Sequence, residues 1–341
     1  MMARVVTFGE VMLRLSTTGN RRFVQAESFE ATYGGGEANV ACSLANYGVD
    51  AAFVTKVPDS PLGQAAINHL RRYGVDTSRI QRGGERLGVY FLEPGASQRP
   101  SNVVYDRGHA SIDEVEPGDF DWPLIFSGAE WFHFTGITPA LGPRVAAVTL
   151  EATKVAKEMG LTVSCDLNYR SKLWSPEKAR PTMTQLMDYV DVVIANEEDA
   201  DQVFGIAAAA SDVTRGMIDK DAYCQVACEL VERFGLQMAV ITLRESLSAS
   251  ENGWSALVWD GEACHHTRRY SIHIVDRVGG GDAFGGGLIY ALLQGWSACD
   301  AAEFAAAASC LKHTIPGDFN HVNVSEVLNL VSGDGSGRVQ R

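Results

Sequence analysis

The segment Asp276-Arg277-Val278-Gly279-Gly280-Gly281-Asp282-Ala283-Phe284 places three glycines directly before a carboxylate and an apolar run. Without Cβ atoms, glycines let an anion approach backbone N–H groups closely, and a helix start offers free N–H groups there. Asp282 beside such a loop has the chemistry of a base. The same residues also suit a tight turn in which Asp282 merely starts a helix. A second cluster, Gly34-Gly35-Gly36-Glu37-Ala38-Asn39, repeats the pattern. There the Asn39 amide is a candidate for binding hydroxyl groups, and a capped helix start is the plainer alternative. Two familiar phosphate loops are excluded. The chain has no Gly-Lys pair for a G-x-x-x-x-G-K loop. The G-x-G-x-x-G pattern fails at Phe284 from Gly279 and at Asn39 from Gly34.

These clusters need elements to hold them. Short, mostly apolar runs read as strands: Val5–Leu13, Ala51–Val57, Leu161–Asp166, Val190–Ala195 and Met238–Leu243. Runs of this kind suit a parallel sheet buried on both faces. Helical spacing falls between them, as in Glu37–Gly48, Pro61–Gly74 and Pro143–Gly160, each with a glycine at its end. The alternation predicts an α/β fold with a doubly wound, mainly parallel sheet flanked by helices. Residues 12–33 and 85–111 break the rhythm. They are polar, arginine-rich and strand-like, and we expect them to leave the main sheet as a small β-sheet lid over a cleft. One domain over residues 1–331 is expected, with a loose surface insertion at 205–222 and a disordered tail at 332–341.

The 341 residues carry a formal charge of −13, which argues against a nucleic-acid partner. No apolar run approaches the roughly 20 residues that span a bilayer, and the N-terminal segment lacks a secretory pattern. We therefore expect a cytoplasmic protein with no membrane partner. The seven cysteines are dispersed and read as reduced thiols, Cys224 and Cys228 being neighbours on a helix. Cys264-His265-His266 contains metal-ligand residue types. With no second ligand pair nearby in sequence, it reads as a strand segment.

Taken together and in this order, the two glycine clusters resemble those of the PfkB-type, ribokinase-like carbohydrate kinases, over about residues 4–331. That family carries a GG-x-x-x-N segment and a D-x-x-G-A-G-D segment. Gly280 stands where alanine is usual, which should loosen the loop. The resemblance implies ATP and Mg²⁺ as cofactors and leaves a monovalent cation open. It implies Asp282 as the base, already ionised at neutral pH, with Gly279, Gly280 and Gly281 cradling the transferring phosphoryl group. Gly35, Gly36, Glu37 and Asn39 would hold the sugar.

Other segments resemble the acid-sugar branch, the 2-keto-3-deoxygluconate kinases. Asp166–Ser175 would reach both ligands, through Asn168 and Arg170. Tyr90, Tyr105, Arg107 and Asp318 match further substrate contacts. Guanidinium groups bind carboxylates in a forked, charge-assisted way, so Arg107 and Arg170 suit an acid sugar. Asn196, Thr242 and Arg244 would contact the nucleotide, together with Gly279 and Gly281. The family's N-x-x-E segment stands here as Asn196-Glu197-Glu198-Asp199, so either Glu198 or Asp199 would handle the metal. Exposed lid strands would suit a homodimer. Kinases of fructose or of the 2-keto-3-deoxygalactonate epimer remain alternatives, as does an idle sugar-binding regulatory protein.

Overall fold

The structure is a computed structural model that describes residues 4–208 and 219–333. The expected insertion is thus seen only at its flanks, and of the expected tail only Ser332 and Gly333 are described. Fifteen strands follow in chain order: β1 (Arg4–Phe8), β2 (Met12–Thr17), β3 (Phe29–Gly34), β4 (Asp50–Val54), β5 (Lys56–Val57), β6 (Gln81–Arg82), β7 (Gly88–Glu93), β8 (Asn102–Asp106), β9 (Trp131–Thr135), β10 (Thr162–Asp166), β11 (Val192–Asn196), β12 (Met238–Ser246), β13 (Glu251–Trp259), β14 (Cys264–His266) and β15 (Tyr270–His273). The helices are α1 (Gly36–Asn46), α2 (Pro61–Arg72), α3 (Trp122–Ile125), α4 (Ile137–Ala140), α5 (Pro143–Glu158), α6 (Pro176–Met187), α7 (Asp199–Phe204), α8 (Lys220–Phe234), α9 (Gly280–Leu293), α10 (Ala298–Lys312) and α11 (Val324–Val331).

The main sheet has the order β14-β13-β12-β11-β10-β9-β1-β4, with β15 also on β13. Pairings from β4 through β12 are parallel, and those of β13 are antiparallel. The parallel strands are buried on both faces, since helices cover each side: β9 is buried at every position and β11 at all but its last. Two apolar clusters lie on opposite faces. One gathers around Phe284, Phe304 and Leu44, the other around Phe132, Phe134 and Trp122.

The expected first strand, Val5–Leu13, is in fact two. β1 is buried throughout after Arg4, whereas β2 alternates buried and half-buried positions. The chain crosses between sheets at Gly9-Glu10-Val11, because a two-sided and a one-sided pattern cannot share one sheet position. β2 joins a second, four-stranded sheet in the order β3-β2-β7-β8. This is the small sheet expected from residues 12–33 and 85–111.

Helix α9 packs against α10 and α1. Small residues make that approach close. Gly287 faces the Ala305 backbone, and Ala305 to Ala308 are all fully buried. Close packing of this kind holds the first turn of α9, and hence Asp282, in a fixed place.

The cysteine expectation needs correction. Cys224 on α8 is disulfide-bonded to Cys264 on β14, bringing together residues 40 apart in sequence. Cys42, Cys165, Cys228, Cys299 and Cys310 are free.

Candidate functional site

At the carboxyl ends of the parallel strands, under the small sheet, lies a cavity of ≈ 300 Å³. Ligands of open α/β sheets bind in this position. It is lined by every residue expected to serve substrate or nucleotide, and by Gly279, Gly281, Asp282 and Asp199. Gly280 and Glu198 are the exceptions. Lining a cavity is not the same as being free to act there, and the residues divide on that point.

Gly279 precedes α9 with φ 81°, a left-handed conformation that favours glycine. A Cβ there would overlap the Asp318 carbonyl oxygen, while at Gly281 it would meet open space. The loop thus presents bare backbone at the positive end of a 14-residue helix. Gly280 behaves otherwise. It is buried, and its N–H donates to the Arg277 carbonyl at 3.3 Å. Ser309 Oγ donates to its carbonyl at 2.7 Å. A Cβ at this position would overlap the His313 ring. The glycine therefore does not loosen the loop, as expected from sequence; it makes room for His313.

Asp282 is partly buried in the first turn of α9, where Asn39 Nδ2 donates to its Oδ2 at 2.6 Å. Burial pushes its carboxyl up to about 7. The Asn39 bond opposes the shift, the charges of Asp318 and Glu37 add to it, and Arg170 lowers it. The expectation of a carboxylate fully ionised at neutral pH is therefore corrected. At pH 7 Asp282 is poised between its two forms, the condition that suits a general base.

Several expected sugar contacts are already engaged. Glu37 is buried, and its Oε1 accepts from Thr135 N and Oγ1, both at 2.8 Å, and from Thr138 Oγ1 at 2.5 Å. It pins the start of α1 to the end of β9. Asp318 accepts from Arg14 Nη1 at 2.6 Å and from Tyr90 Oη at 2.5 Å. Arg107 donates to Glu10 and lies 5.4 Å from the Tyr105 ring centre. Burial pushes the Glu10 carboxyl up to about 7 against the pull of Arg107. Arg170 differs: it is exposed, donates only to the Tyr169 carbonyl at 3.0 Å, and forms no ion pair with a carboxylate among the described residues. Gly36 brings backbone close to Asp282, since a Cβ there would lie 3.6 Å from its Oδ1, whereas a Cβ at Gly35 would overlap the Glu10 carbonyl oxygen.

On the nucleotide side, Thr242 Oγ1 donates to the Ala195 carbonyl at 3.3 Å. Arg244 lies 5.6 Å from the Trp254 ring centre. Asn196 Oδ1 accepts from the backbone N–H groups of Glu198 and Asp199. Asn168, at φ 39°, turns the chain after β10 toward Arg170. The two metal candidates differ in placement. Glu198 is exposed and lines a neighbouring hollow, not this cavity. Asp199 is buried, its two oxygens accepting from Tyr169 N at 3.1 Å and Asn196 N at 3.0 Å.

Four charged side chains in or beside the site were not among the candidates named from the sequence. Arg14, on β2, bridges Asp276 at 2.5 Å and Asp318 at 2.6 Å, with Arg14 and Asp318 buried and Asp276 partly so. Asp166 ends β10, and burial pushes its carboxyl well up, aided by the charges of Asp199 and Asp282. Arg277 lines the cavity beside Arg244. Burial, and then repulsion by Arg244, lowers its hold on its proton. Lys312 is fully buried, and its ammonium donates to the carbonyls of Asp276, Val278 and Ile315. Only Asp166 had a usable sequence signal, its place at the end of a parallel strand. The partners of Arg14 lie 262 and 304 residues away.

Comparison with known proteins fits this geometry. Residues 2–321 match the family model described as pfkB family carbohydrate kinase. The chain is 54% identical to a solved 2-dehydro-3-deoxygluconokinase from Thermotoga maritima, covering 97% of this chain and 100% of that one, with a TM-score of 0.94. It is 35% identical to a 2-dehydro-3-deoxygalactonokinase of Haloferax volcanii over 99% of both chains. A 2-dehydro-3-deoxygluconokinase of Bacillus subtilis is 27% identical over 95% of this chain and 93% of that one.

Proposed function

The chain belongs to the pfkB family of carbohydrate kinases, and on that premise we propose that it transfers the γ-phosphoryl group of ATP to the primary hydroxyl of an acid sugar. The sugar is 2-keto-3-deoxygluconate and the product its 6-phosphate. One observation carries the reading. Arg170, Arg244 and Arg277 line the cavity that holds Asp282, and none forms an ion pair with a carboxylate among the described residues. In a chain of net charge −13, three guanidinium groups free of ion pairs, in a cavity that Asp282 shares with Glu10, Glu37, Asp166, Asp199 and Asp318, suit two anions, a triphosphate and a sugar acid.

Asp282 takes the proton of the attacking hydroxyl as the bond to phosphorus forms, and Arg170 holds the sugar carboxylate. The N–H groups at the head of α9 face the charge on the transferring phosphoryl group. Arg244 and Arg277 hold the nucleotide phosphates. Asp166 is the carboxylate best placed for Mg²⁺, since its like-charged neighbours Asp199 and Asp282 favour a cation beside it. When bound, Mg²⁺ neutralises phosphate charge. Glu37 and Asp318 act as positioning residues. The small sheet serves as a lid that excludes water from the transfer. Its edge strand β8, exposed at Val104 and Tyr105, is where a second copy would pair. Residues 1–331 act as one kinase unit, working in the cytoplasm. No helix among the described residues is long and apolar enough to cross a membrane.

The test is ADP release with a panel of sugars. The 2-keto-3-deoxygluconate should exceed fructose and ribose in kcat/KM, and Asp282→Asn should remove activity by several orders of magnitude while the fold survives. Preference for the galactonate epimer, as the name of the Haloferax relative suggests, would move the specificity but leave the mechanism. A neutral sugar as the best substrate, or an Asp282→Asn variant within tenfold of wild type, would overturn the reading.

A further inference from the structure

A second group of reactive side chains lies at the other end of the main sheet. Along β13, Trp254 pairs with Arg244 beside the cavity, whereas Trp259 pairs with Ala239 and with Cys264. Five residues of strand separate the two places, about 17 Å. Cys264 and His266 share one face of β14, two residues apart. His265 points the other way, with its Nε2 2.8 Å from Asp260 Oδ2. Facing them on α8 is Cys224, bonded to Cys264. His266 Nε2 lies 3.5 Å from Cys224 Sγ and 4.0 Å from Cys264 Sγ. The three potential ligand atoms all lie within 4.8 Å of one another. Asp221 stands one turn earlier on α8, close enough for its charge to act on His266.

These distances can be compared with a tetrahedral zinc site. Bonds of about 2.3 Å to sulfur and about 2.0 Å to nitrogen give edges of about 3.5 Å for S···N and about 3.8 Å for S···S. The His266–Cys224 distance of 3.5 Å already matches, the His266–Cys264 distance of 4.0 Å would have to shorten, and the sulfurs, joined here, would have to separate.

We propose that reduction of the Cys224–Cys264 bond turns this cluster into a site for one thiophilic divalent cation, zinc being the fitting probe, held by Cys224, Cys264 and His266 with Asp221 or water as the fourth ligand. The chemistry balances. A dithiol reductant gives two electrons and two protons to the disulfide and itself becomes a disulfide. Cation binding then releases the two thiol protons to solvent. Disulfide and bound cation are alternative occupants of one place. Either one ties α8 to the sheet edge, far from the phosphoryl-transfer cavity.

The experiment uses the full chain, reduced with a phosphine, desalted without air, and incubated with zinc but no nucleotide. Bound zinc is counted by elemental analysis and affinity measured against a chromophoric chelator. About one zinc per chain is expected in the reduced protein and none after oxidation. Cys224→Ser, Cys264→Ser and His266→Gln should each weaken binding by about tenfold or more, with folding checked by circular dichroism. Cys228→Ser, one turn along α8, should bind as wild type does. Zinc should raise the Tm of the reduced wild type and leave that of Cys224→Ser unchanged. No zinc in the reduced wild type, wild-type affinity in the Cys224→Ser and His266→Gln variants, or loss of zinc in Cys228→Ser would each overturn the proposal.

Discussion

Removing the Asn39 amide should move the pH at which this enzyme switches on. Asn39 Nδ2 donates to Asp282 Oδ2 at 2.6 Å, and that bond favours the ionised form. Burial raises the Asp282 carboxyl to about 7, and the Asn39 bond is the largest opposing influence. Hydrogen bonds to charged groups contribute about 1.5–3 kcal/mol, which corresponds to about 1–2 pKa units. In Asn39→Leu the acidic limb of kcat/KM should therefore shift from about 7 to about 8–9. The sign follows from the base being the ionised form. At pH 7 the working fraction falls from about one half to about one tenth or less, a loss of about five- to fiftyfold. Raising the pH to 9 should recover most of it. The assay is direct chromatographic measurement of ADP from pH 5.5 to 9.5, free of coupling enzymes. A uniform loss with the limb unmoved would refute the reasoning, for it would make Asn39 a sugar ligand or a fold residue with no control over the base.

Three further expectations rest on other contacts. Gly280→Ala pushes a methyl group into the His313 ring and should cost about 1–3 kcal/mol in urea unfolding; His313→Ser in the same chain should recover part of the loss, and additive effects would refute the clash. Arg14→Met leaves Asp318, buried, and Asp276, partly so, without their cation and should cost about 3–5 kcal/mol by the same measurement, a loss below about 1 kcal/mol counting against the bridge. Arg170→Ala should raise KM for an acid sugar by about ten- to a hundredfold, from the value of a charge-assisted bond, and much less for a neutral sugar; equal effects on both would refute the carboxylate contact.

The parts of this molecule that could be read from the sequence are those encoded over short distances. Continuous apolar runs such as Val192–Ala195 mark strands buried on both faces, and Gly279 to Asp282 carry their helix start in their own order. The roles of Glu37, Asp318 and Arg107 were not readable in the same way. Nothing local to Glu37 says that Thr135 and Thr138 will occupy its carboxylate, or that Glu10 will take Arg107. Arg14 looked like any arginine in a polar strand, because its two partners arrive only when the small sheet folds over the end of α9. The Cys224–Cys264 bond was hidden for the same reason. Helix spacing pointed Cys224 to Cys228, while the strand order brought β14 across to it.

Lys312 gives the head of α9 an unusual independence. Its ammonium sits among three carbonyls, two of them from Asp276 and Val278 on the approach to the glycines. A free ion in such a nest would come and go with the composition of the medium, and the shape of the turn would follow it. Here the positive charge is part of the chain and cannot be diluted, exchanged for a larger ion or dialysed away. The turn that presents Asp282 is thereby insulated from the salt balance around it, and in exchange the chain keeps a charged side chain permanently out of water.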